Sequence, residues 1–264
     1  MSVRRGVAAG AVVIAASGYL VATREEKGVR TPIAEPVQIE AALPASPPSA
    51  LHVGRPRLLN DVDASMWAPV VRASVATEAP GSGRVVAHVG TRTPEGTTNL
   101  VLVVREHVVG DQTWAEVRLP SAVPSLTGWL SRSALGALHV VDTHLNVSLT
   151  RLRLTLLVNG MPVFRAPIGV GLPETPTPVG QFYIRDKLTR YHSPFYGPLA
   201  YGTSARSAVL TEWPAGGFIG IHGTDQPALI PGRISHGCIR VRNADLLRLS
   251  RLLPVGTPVT ITGA

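Results

Sequence analysis

The chain is poor in cysteine, and Cys238 is the only one among its 264 residues. A single thiol excludes an internal disulfide bond, so the chain cannot be a disulfide-stabilised scaffold. In an exported protein, a lone thiol is functional, is paired with another molecule, or is a liability. The residues around Cys238 therefore decide whether its thiol has a chemical function.

The chain also lacks blocks of lysine and arginine, and it lacks the cysteine and histidine spacing of zinc fingers. It is nevertheless basic, with a formal net charge of +8 at pH 7. Basic charge favours anionic surroundings, which include nucleic acids, membrane surfaces and anionic cell walls. Because both nucleic-acid signals are missing, we expect a wall or membrane environment and no nucleic-acid partner.

Long apolar runs are scarce, and the main one extends from Gly6 to Ala22 after Arg4 and Arg5. Positive residues followed by an apolar core form an export signal, here at the short edge of what spans a bilayer. A cleavage site at Ala22 would have the bulky Leu20 at its minus-three position, so we expect an uncleaved signal-anchor, with cleavage as the alternative. The positive-inside rule then places the rest of the chain outside the cytoplasm, in the cell envelope.

The rest of the chain divides by composition. One segment is rich in proline without a sustained apolar period, which is typical of an extended linker. The next consists of short β-rich runs separated by turn signals, and the last contains further β-rich runs and the cysteine. We therefore predict a mainly β protein with these parts: a signal-anchor or signal peptide (1–23), a linker (24–66), a β module (67–136) and a catalytic domain (138–262).

The β module ends in the pattern WAEVRLP, beginning at Trp114, followed by TGWL around Trp129. Residues 114–119 alternate in polarity, as a half-buried strand does. The pattern resembles the bacterial SH3-like domains that accompany cell-wall enzymes, which implies a small β-barrel. Trp114 and Trp129 could form a stacking face for glycan or peptide, or they could be core aromatics; the second interpretation is favoured for both.

Three local signals predict structure in the last segment. The pair Asn159 and Gly160 between two apolar runs predicts an antiparallel hairpin over 152–166. The apolar run from Phe218 to His222 predicts a strand that ends at a histidine. Asn243 is a good helix N-cap, and the leucines after it predict a short helix that follows the cysteine motif.

The run Ser235, His236, Gly237 and Cys238 places an imidazole, a flexible backbone and a thiol within four residues, and His222 lies 16 residues before the cysteine. A thiolate is the nucleophile in cysteine chemistry, and a nearby imidazole can take its proton. Gly237 allows a substrate to approach the main chain, and the amides of Gly237 and Cys238 could face a developing oxyanion. Spacing alone leaves His222 and His236 both open as the base.

These residues, together with Arg240 and the segment TPTPVGQF (175–182), resemble the signature of the YkuD-type L,D-transpeptidases, which are cysteine enzymes of bacterial peptidoglycan. The resemblance implies a β-sandwich or barrel-like catalytic domain with one short helix. Many members of the family have asparagine where this chain has Arg240, and arginine variants also occur. The difference therefore bears on the subclass within the family and not on the chemistry.

The resemblance also implies roles for single residues. Cys238 would be the nucleophile and His222 the base, oriented by the backbone carbonyl of Gly223 or a neighbour. His236 would support the site and position substrate. Arg240 could hold a substrate carboxylate or form a structural ion pair, and Tyr196 and Tyr201 could line the substrate channel or simply cover the sheet.

By the same resemblance, the substrates are peptidoglycan stem tetrapeptides as donor and acceptor. Cys238 would release the terminal D-Ala, form a thioester and pass the acyl group to an amine, giving a 3→3 cross-link, and carbapenem β-lactams would acylate the same thiol. Three alternatives stay open: an L,D-carboxypeptidase with water as acceptor, a zinc site made of His222, His236 and Cys238, and a non-catalytic wall-binding protein. We expect no metal and no cofactor.

Overall fold

The computed structural model describes residues 57–58, 64–189, 193–211 and 217–263. The predicted membrane segment and most of the predicted linker lie outside these residues. Where the chain is described, no helix is both long enough and apolar enough to cross a membrane. The described part is mainly β, as the sequence predicted, with two antiparallel or mixed sheets and one short α-helix.

The first sheet is antiparallel throughout. Its strands follow in the spatial order β4-β3-β7-β6-β5-β2-β8, and β1 pairs with β5. Strand pairing extends this sheet on both sides of the predicted module, so that part of the predicted linker is strand. The strands are β1 (Arg57–Leu58), β2 (Ser65–Pro69), β3 (Ser74–Thr77), β4 (Val85–Val89), β5 (Leu100–Val109), β6 (Gln112–Arg118), β7 (Thr127–Ser131) and β8 (His139–Val141).

The second sheet contains the cysteine motif. Its strands are β9 (Thr143–Ser148), β10 (Arg153–Val158), β11 (Met161–Gly171), β12 (Gly180–Leu188), β13 (Ala200–Arg206), β14 (Phe218–His222), β15 (Gly232–Ser235), β16 (Ile239–Val241) and β17 (Pro258–Thr262), with helix α1 (Asn243–Leu249) before the last strand. Among the described residues the order is β10-β9-β17-β12-β13-β14-β16-β11-β15. Because β10 also pairs with β11, the sheet closes on itself, which is the barrel-like arrangement that the sequence predicted.

The hairpin of β10 and β11 is confirmed. Val158 pairs with Met161, and the two residues between them, Asn159 and Gly160, have φ of 47° and 71°. Positive φ at both central residues defines the turn type that matches the right-handed twist of paired strands. This is the reason that asparagine followed by glycine is a reliable hairpin signal.

The helix prediction needs a correction of one residue. Helix α1 begins at Asn243, and its N-cap position is Arg242, which makes no side-chain capping hydrogen bond. The side-chain oxygen of Asn243 instead accepts a hydrogen bond from the backbone N–H of Thr224, at 2.9 Å. An asparagine oxygen that is already bonded to another loop is not available to cap its own helix.

The two tryptophans of the first sheet differ in exposure. Trp129 is buried, and the Arg105 guanidinium lies 5.4 Å from its ring centroid. Trp114 is half-buried and packs against Gly81. The favoured interpretation as a core aromatic therefore holds for Trp129, while Trp114 keeps part of its ring exposed.

The two sheets share a small apolar core. Trp67 and Leu100 of the first sheet pack with Tyr183 of the second, and the Tyr183 hydroxyl donates a hydrogen bond to the Leu100 carbonyl at 3.1 Å. The turn at Gly256 lies against the Trp67 ring so closely that an added Cβ would be 2.0 Å from Trp67 Cδ1. Close packing of this kind favours unfolding of both sheets as one unit.

We expect Tyr183→Phe to lower the free energy of unfolding by about 1 kcal/mol, because the variant loses one buried hydrogen bond between the sheets. Tryptophan fluorescence and far-ultraviolet circular dichroism should report a single, coincident denaturant transition in the wild type and in the variant. Two separated transitions in the wild type would show that the shared core does not couple the sheets.

Candidate active site

The cysteine motif faces a pocket of about 250 Å³. His222, His236, Cys238 and Arg240 all line it, and so does Tyr196. The pocket thus brings together five of the seven residues that the sequence selected.

Two neighbouring strands place the thiol and the imidazole. Strands β14 and β16 are parallel, with Ile221 opposite Ile239 and His222 opposite Arg240. Cys238 directly precedes β16 and lies beside Gly220, whose backbone N–H points at the sulfur with an N–Sγ distance of 3.3 Å. Sheet pairing therefore brings His222 and Cys238 together although they are 16 positions apart in the sequence.

Cys238 is half-buried as a residue and lines the pocket. Burial raises the pKa of the Cys238 thiol above its ordinary value, and the Gly220 N–H and the positive charge of Arg240 oppose that rise. Because burial is the largest of these causes, the resting thiol is protonated at neutral pH. Proton transfer must then accompany or follow substrate binding.

The imidazole of His222 is buried and held in one tautomer. Its Nδ1 lies 2.7 Å from the carbonyl oxygen of Gly223. A carbonyl oxygen can only accept, so Nδ1 carries the proton and Nε2 of the neutral ring keeps a lone pair. Burial lowers the pKa of His222 to about 4, with the Gly223 carbonyl opposing the shift and Arg240 adding to it. A neutral ring with a free Nε2 is ready to act as a base at neutral pH.

Gly220 lies next to both His222 and Cys238, and it has no side chain that could stand between the imidazole and the thiol. A Cβ added to Gly220 would lie 3.7 Å from His222 Cδ2 and 3.8 Å from Cys238 Sγ. Both reactive groups are therefore within van der Waals reach of one backbone position. Sequence reasoning missed this glycine, and the available signal was its position two residues before the histidine on the same predicted strand.

The turn that carries Cys238 is held by two hydroxyls. Ser235 Oγ accepts from the Gly237 N–H at 3.2 Å and donates to the Cys238 carbonyl at 2.5 Å. The buried Thr177 Oγ1 donates to the Gly237 carbonyl at 2.7 Å and accepts from the Gly171 N–H at 2.9 Å. Thr177 therefore connects the TPTP segment to the cysteine turn.

The prediction that Gly237 donates its amide to an oxyanion is wrong in this structure. Its N–H already donates to the serine hydroxyl inside the same turn, so it does not point freely into the pocket. Glycine is nevertheless needed at this position, because φ is +116° and an added Cβ would lie 3.0 Å from Ile219 Cδ1.

Arg240 and His236 both reach the pocket. The Nε of Arg240 is buried and has no hydrogen-bond partner in the described part of the chain. A buried guanidinium nitrogen without a partner is costly unless a ligand supplies one. His236 is exposed at the same pocket.

The two tyrosines that were expected to line the substrate channel differ. The Tyr196 ring lies against the His222 ring, with centroids 4.6 Å apart and planes tilted by 57°. Tyr201 is fully buried, and its hydroxyl donates to the Leu253 carbonyl at 3.2 Å. The prediction for Tyr201 is wrong, because its position in β13 turns the ring into the core of the sheet.

A zinc site would need three ligating side chains in close proximity. Across the residues that the structure describes, no group of three or more His, Cys, Asp or Glu side chains is placed to hold a metal ion. The arrangement that is present, a pocket with a thiol and a neutral imidazole on adjacent strands, is the kind of site that transfers acyl groups through a cysteine.

The comparisons with known proteins agree with this class. A sequence model of the YkuD domain, described as an L,D-transpeptidase catalytic domain, matches residues 142–261. The provisionally named L,D-transpeptidase YkuD of Bacillus subtilis strain 168 is 37% identical over 123 residues, which are 47% of this chain and 68% of that protein. A YkuD protein of Bacillus licheniformis, named in the same way, is 37% identical over 116 residues, 44% of this chain and 63% of that protein.

Among solved structures, the catalytic domain of an Enterococcus faecium L,D-transpeptidase is 27% identical, with a TM-score of 0.35, and the match covers 46% of this chain and 97% of that domain. Through its C-terminal segment, the chain belongs to the YkuD family of L,D-transpeptidase catalytic domains.

We expect the stability of the protein to fall as the pH drops from about 6.5 to about 4. A histidine with a lowered folded-state pKa binds fewer protons than the unfolded chain in this window, so protonation favours unfolding. With a His222 pKa of about 4, the loss is on the order of 3 kcal/mol. Denaturant titrations of wild type and His222→Asn at pH 8 and pH 4 measure it. An equal acid loss in the variant would rule out His222 as its source.

We expect Gly220→Ala to fold normally but to react at least tenfold more slowly at Cys238. The added methyl would make only ordinary contacts, the nearest at 3.4 Å from the Tyr201 carbonyl oxygen, so the free energy of unfolding should change by less than about 1 kcal/mol. It would occupy space beside both the base and the sulfur. The rate of Cys238 alkylation by iodoacetamide measures the effect, and a wild-type rate in the folded variant would contradict it.

Proposed function

We propose that this chain is an L,D-transpeptidase that forms 3→3 cross-links in bacterial peptidoglycan through a thioester on Cys238. One observation carries the proposal: in a chain of this family, the single thiol lies in a pocket beside a neutral imidazole whose Nε2 is unprotonated. The donor would be a stem tetrapeptide that ends in D-Ala, and the acceptor an amine on a second stem.

The first half-reaction makes the thioester. His222 Nε2 takes the proton of the Cys238 thiol, and the sulfur attacks the carbonyl carbon between the diamino acid and the terminal D-Ala. The C–S bond forms, the C–N bond to D-Ala breaks, and the imidazolium returns its proton to the leaving amine. Burial of both groups keeps them neutral until the substrate is present, so the charge separates only during the reaction.

The second half-reaction transfers the acyl group. The acceptor amine attacks the thioester carbonyl and passes a proton to His222. The new C–N bond forms, the C–S bond breaks, and the imidazolium returns its proton to the sulfur, which regenerates the thiol. Water in place of the amine would give an L,D-carboxypeptidase on the same site.

The neighbouring groups have supporting roles in this proposal. With the Gly237 amide engaged in the turn, the amide of Cys238 is the candidate donor to the oxyanion. Arg240, which lines the pocket, would bind a substrate carboxylate in two-pronged fashion. His236 would contact substrate from the exposed side, and Tyr196 would shield the His222 ring from water.

The proposed enzyme works outside the cytoplasm, because its substrate is the cell wall. The apolar segment of residues 6–22 would anchor it to the membrane or direct its export. The net charge of +8 would favour its association with an anionic wall.

Intact-mass spectrometry with a carbapenem tests the proposal. We expect one covalent adduct on the wild type and none on Cys238→Ala, because only a reactive thiol in the pocket can open the β-lactam ring. Digestion with tetrapeptide muropeptides should then yield a 3→3 dimer and free D-Ala.

The products separate the alternatives. Tripeptides without dimers would show a carboxypeptidase. An unmodified wild type that also leaves muropeptides unchanged would leave only the wall-binding alternative. An adduct that persists on the folded Cys238→Ala variant would remove Cys238 as the nucleophile.

A further inference from the structure

One peptide group next to the imidazole is held at both of its ends. The carbonyl of Gly223 accepts the hydrogen bond from His222 Nδ1 at 2.7 Å. The N–H of the same peptide unit belongs to Thr224, and it donates to Asn243 Oδ1 at 2.9 Å. A peptide group is planar and rigid. The hydrogen bonds to Asn243 and His222 therefore fix the two opposite sides of the same peptide group.

The asparagine oxygen fits a notch made by two glycines. An added Cβ would lie 2.4 Å from Asn243 Oδ1 at Gly197 and 2.2 Å from it at Gly223. Such distances are shorter than any allowed contact, so both positions must lack a side chain while the amide is in place. Asn243 is exposed as a residue, but its oxygen is thus packed against backbone on two sides.

The same notch holds the segment that covers the base. The Gly223 N–H donates to the Tyr196 carbonyl at 2.8 Å, and the Tyr196 ring lies against the His222 ring. Gly197, which follows Tyr196, has φ of +68°. The side-chain amide of Asn243 is therefore the point where three segments meet: the end of β14, the segment of Tyr196 and Gly197, and the start of α1.

We propose that Asn243 is a positioning residue that orients His222 through the peptide between Gly223 and Thr224. A hydrogen bond to the N–H of a peptide polarises its carbonyl, and the carbonyl then becomes a better acceptor for Nδ1–H. Asn243 thereby holds the ring angle and the tautomer that leave Nε2 free, without touching the ring itself. The catalytic consequence rests on the proposed function, but the orientation of the ring does not.

Two nearly isosteric variants separate the hydrogen bond from the shape. Asn243→Asp keeps an acceptor oxygen for the Thr224 N–H, and Asn243→Leu keeps the volume but removes the acceptor. We expect Asn243→Leu to slow iodoacetamide alkylation of Cys238 at least tenfold and Asn243→Asp to remain within about threefold of the wild type. Asp245→Asn, on the same first turn of α1 and paired with Arg248, is the matched control and should react like the wild type.

A second measurement reads the ring directly. In nitrogen-15 NMR spectra at neutral pH, the wild type and Asn243→Asp should show His222 protonated at Nδ1, and Asn243→Leu should show a mixture of tautomers. Neither alkylation nor the tautomer requires a cell-wall substrate, so failure of the transpeptidase proposal would leave both readouts intact. If Asn243→Leu does not fold, Asn243→Ala is judged by the same two criteria.

Two results would overturn the inference. One is a wild-type alkylation rate in a folded variant that lacks the acceptor. The other is a slow variant in which His222 keeps its Nδ1 proton and only the melting temperature falls, since that pattern belongs to general destabilisation.

Discussion

The hydrogen bond between His222 Nδ1 and the Gly223 carbonyl sets three properties of the site together. It selects the tautomer, it fixes the angle of the ring, and it satisfies the ring nitrogen Nδ1. Burial then keeps the ring neutral, with a pKa of about 4, so that the free Nε2 can accept a proton from the thiol. An imidazole that rotates freely on the surface would not combine a single tautomer, a fixed ring angle and a neutral ring.

Backbone without side chains makes this geometry possible. Gly220 lets the imidazole and the sulfur approach the same strand position, and Gly223 and Gly197 admit the asparagine oxygen. Gly171 is equally constrained, because an added Cβ would lie 2.3 Å from the Thr175 carbonyl oxygen next to the segment that holds the cysteine turn. Each glycine loses more conformational entropy on folding than another residue would. The strand pairing around the site offsets this cost in folding free energy.

The first sheet is connected to this site through buried side chains. Arg185 of β12 is almost fully buried, and its Nη2 donates to Glu95 at 2.8 Å. Its guanidinium carbon also lies 3.7 Å from the ring centroid of Phe218, which lines the pocket. The loop between β4 and β5, which carries Glu95, therefore contacts the arginine that supports one wall of the pocket.

Local signals predicted much of the second sheet, because they depend on neighbours in sequence. The turn at Asn159 and Gly160 and the strand that ends at His222 appear where they were expected, and the helix after the cysteine begins one residue earlier than predicted. The predictions failed where a polar group, in a side chain or in the backbone, has a choice of partners. Tyr201 turned into the core, Gly237 used its amide inside the turn, and Asn243 bonded to a distant loop in place of its own helix.

The sequence by itself determined the chemistry that this chain can carry, since one thiol, two nearby imidazoles and a turn with a flexible glycine limit it to a small set of reactions. Only the tertiary structure decided which imidazole is buried beside the strand that adjoins the thiol, which nitrogen of that ring is free, and which amide holds it in place. The physical reason is that residue type is a local property, whereas burial and hydrogen-bond partners depend on which strands become neighbours when the sheet closes.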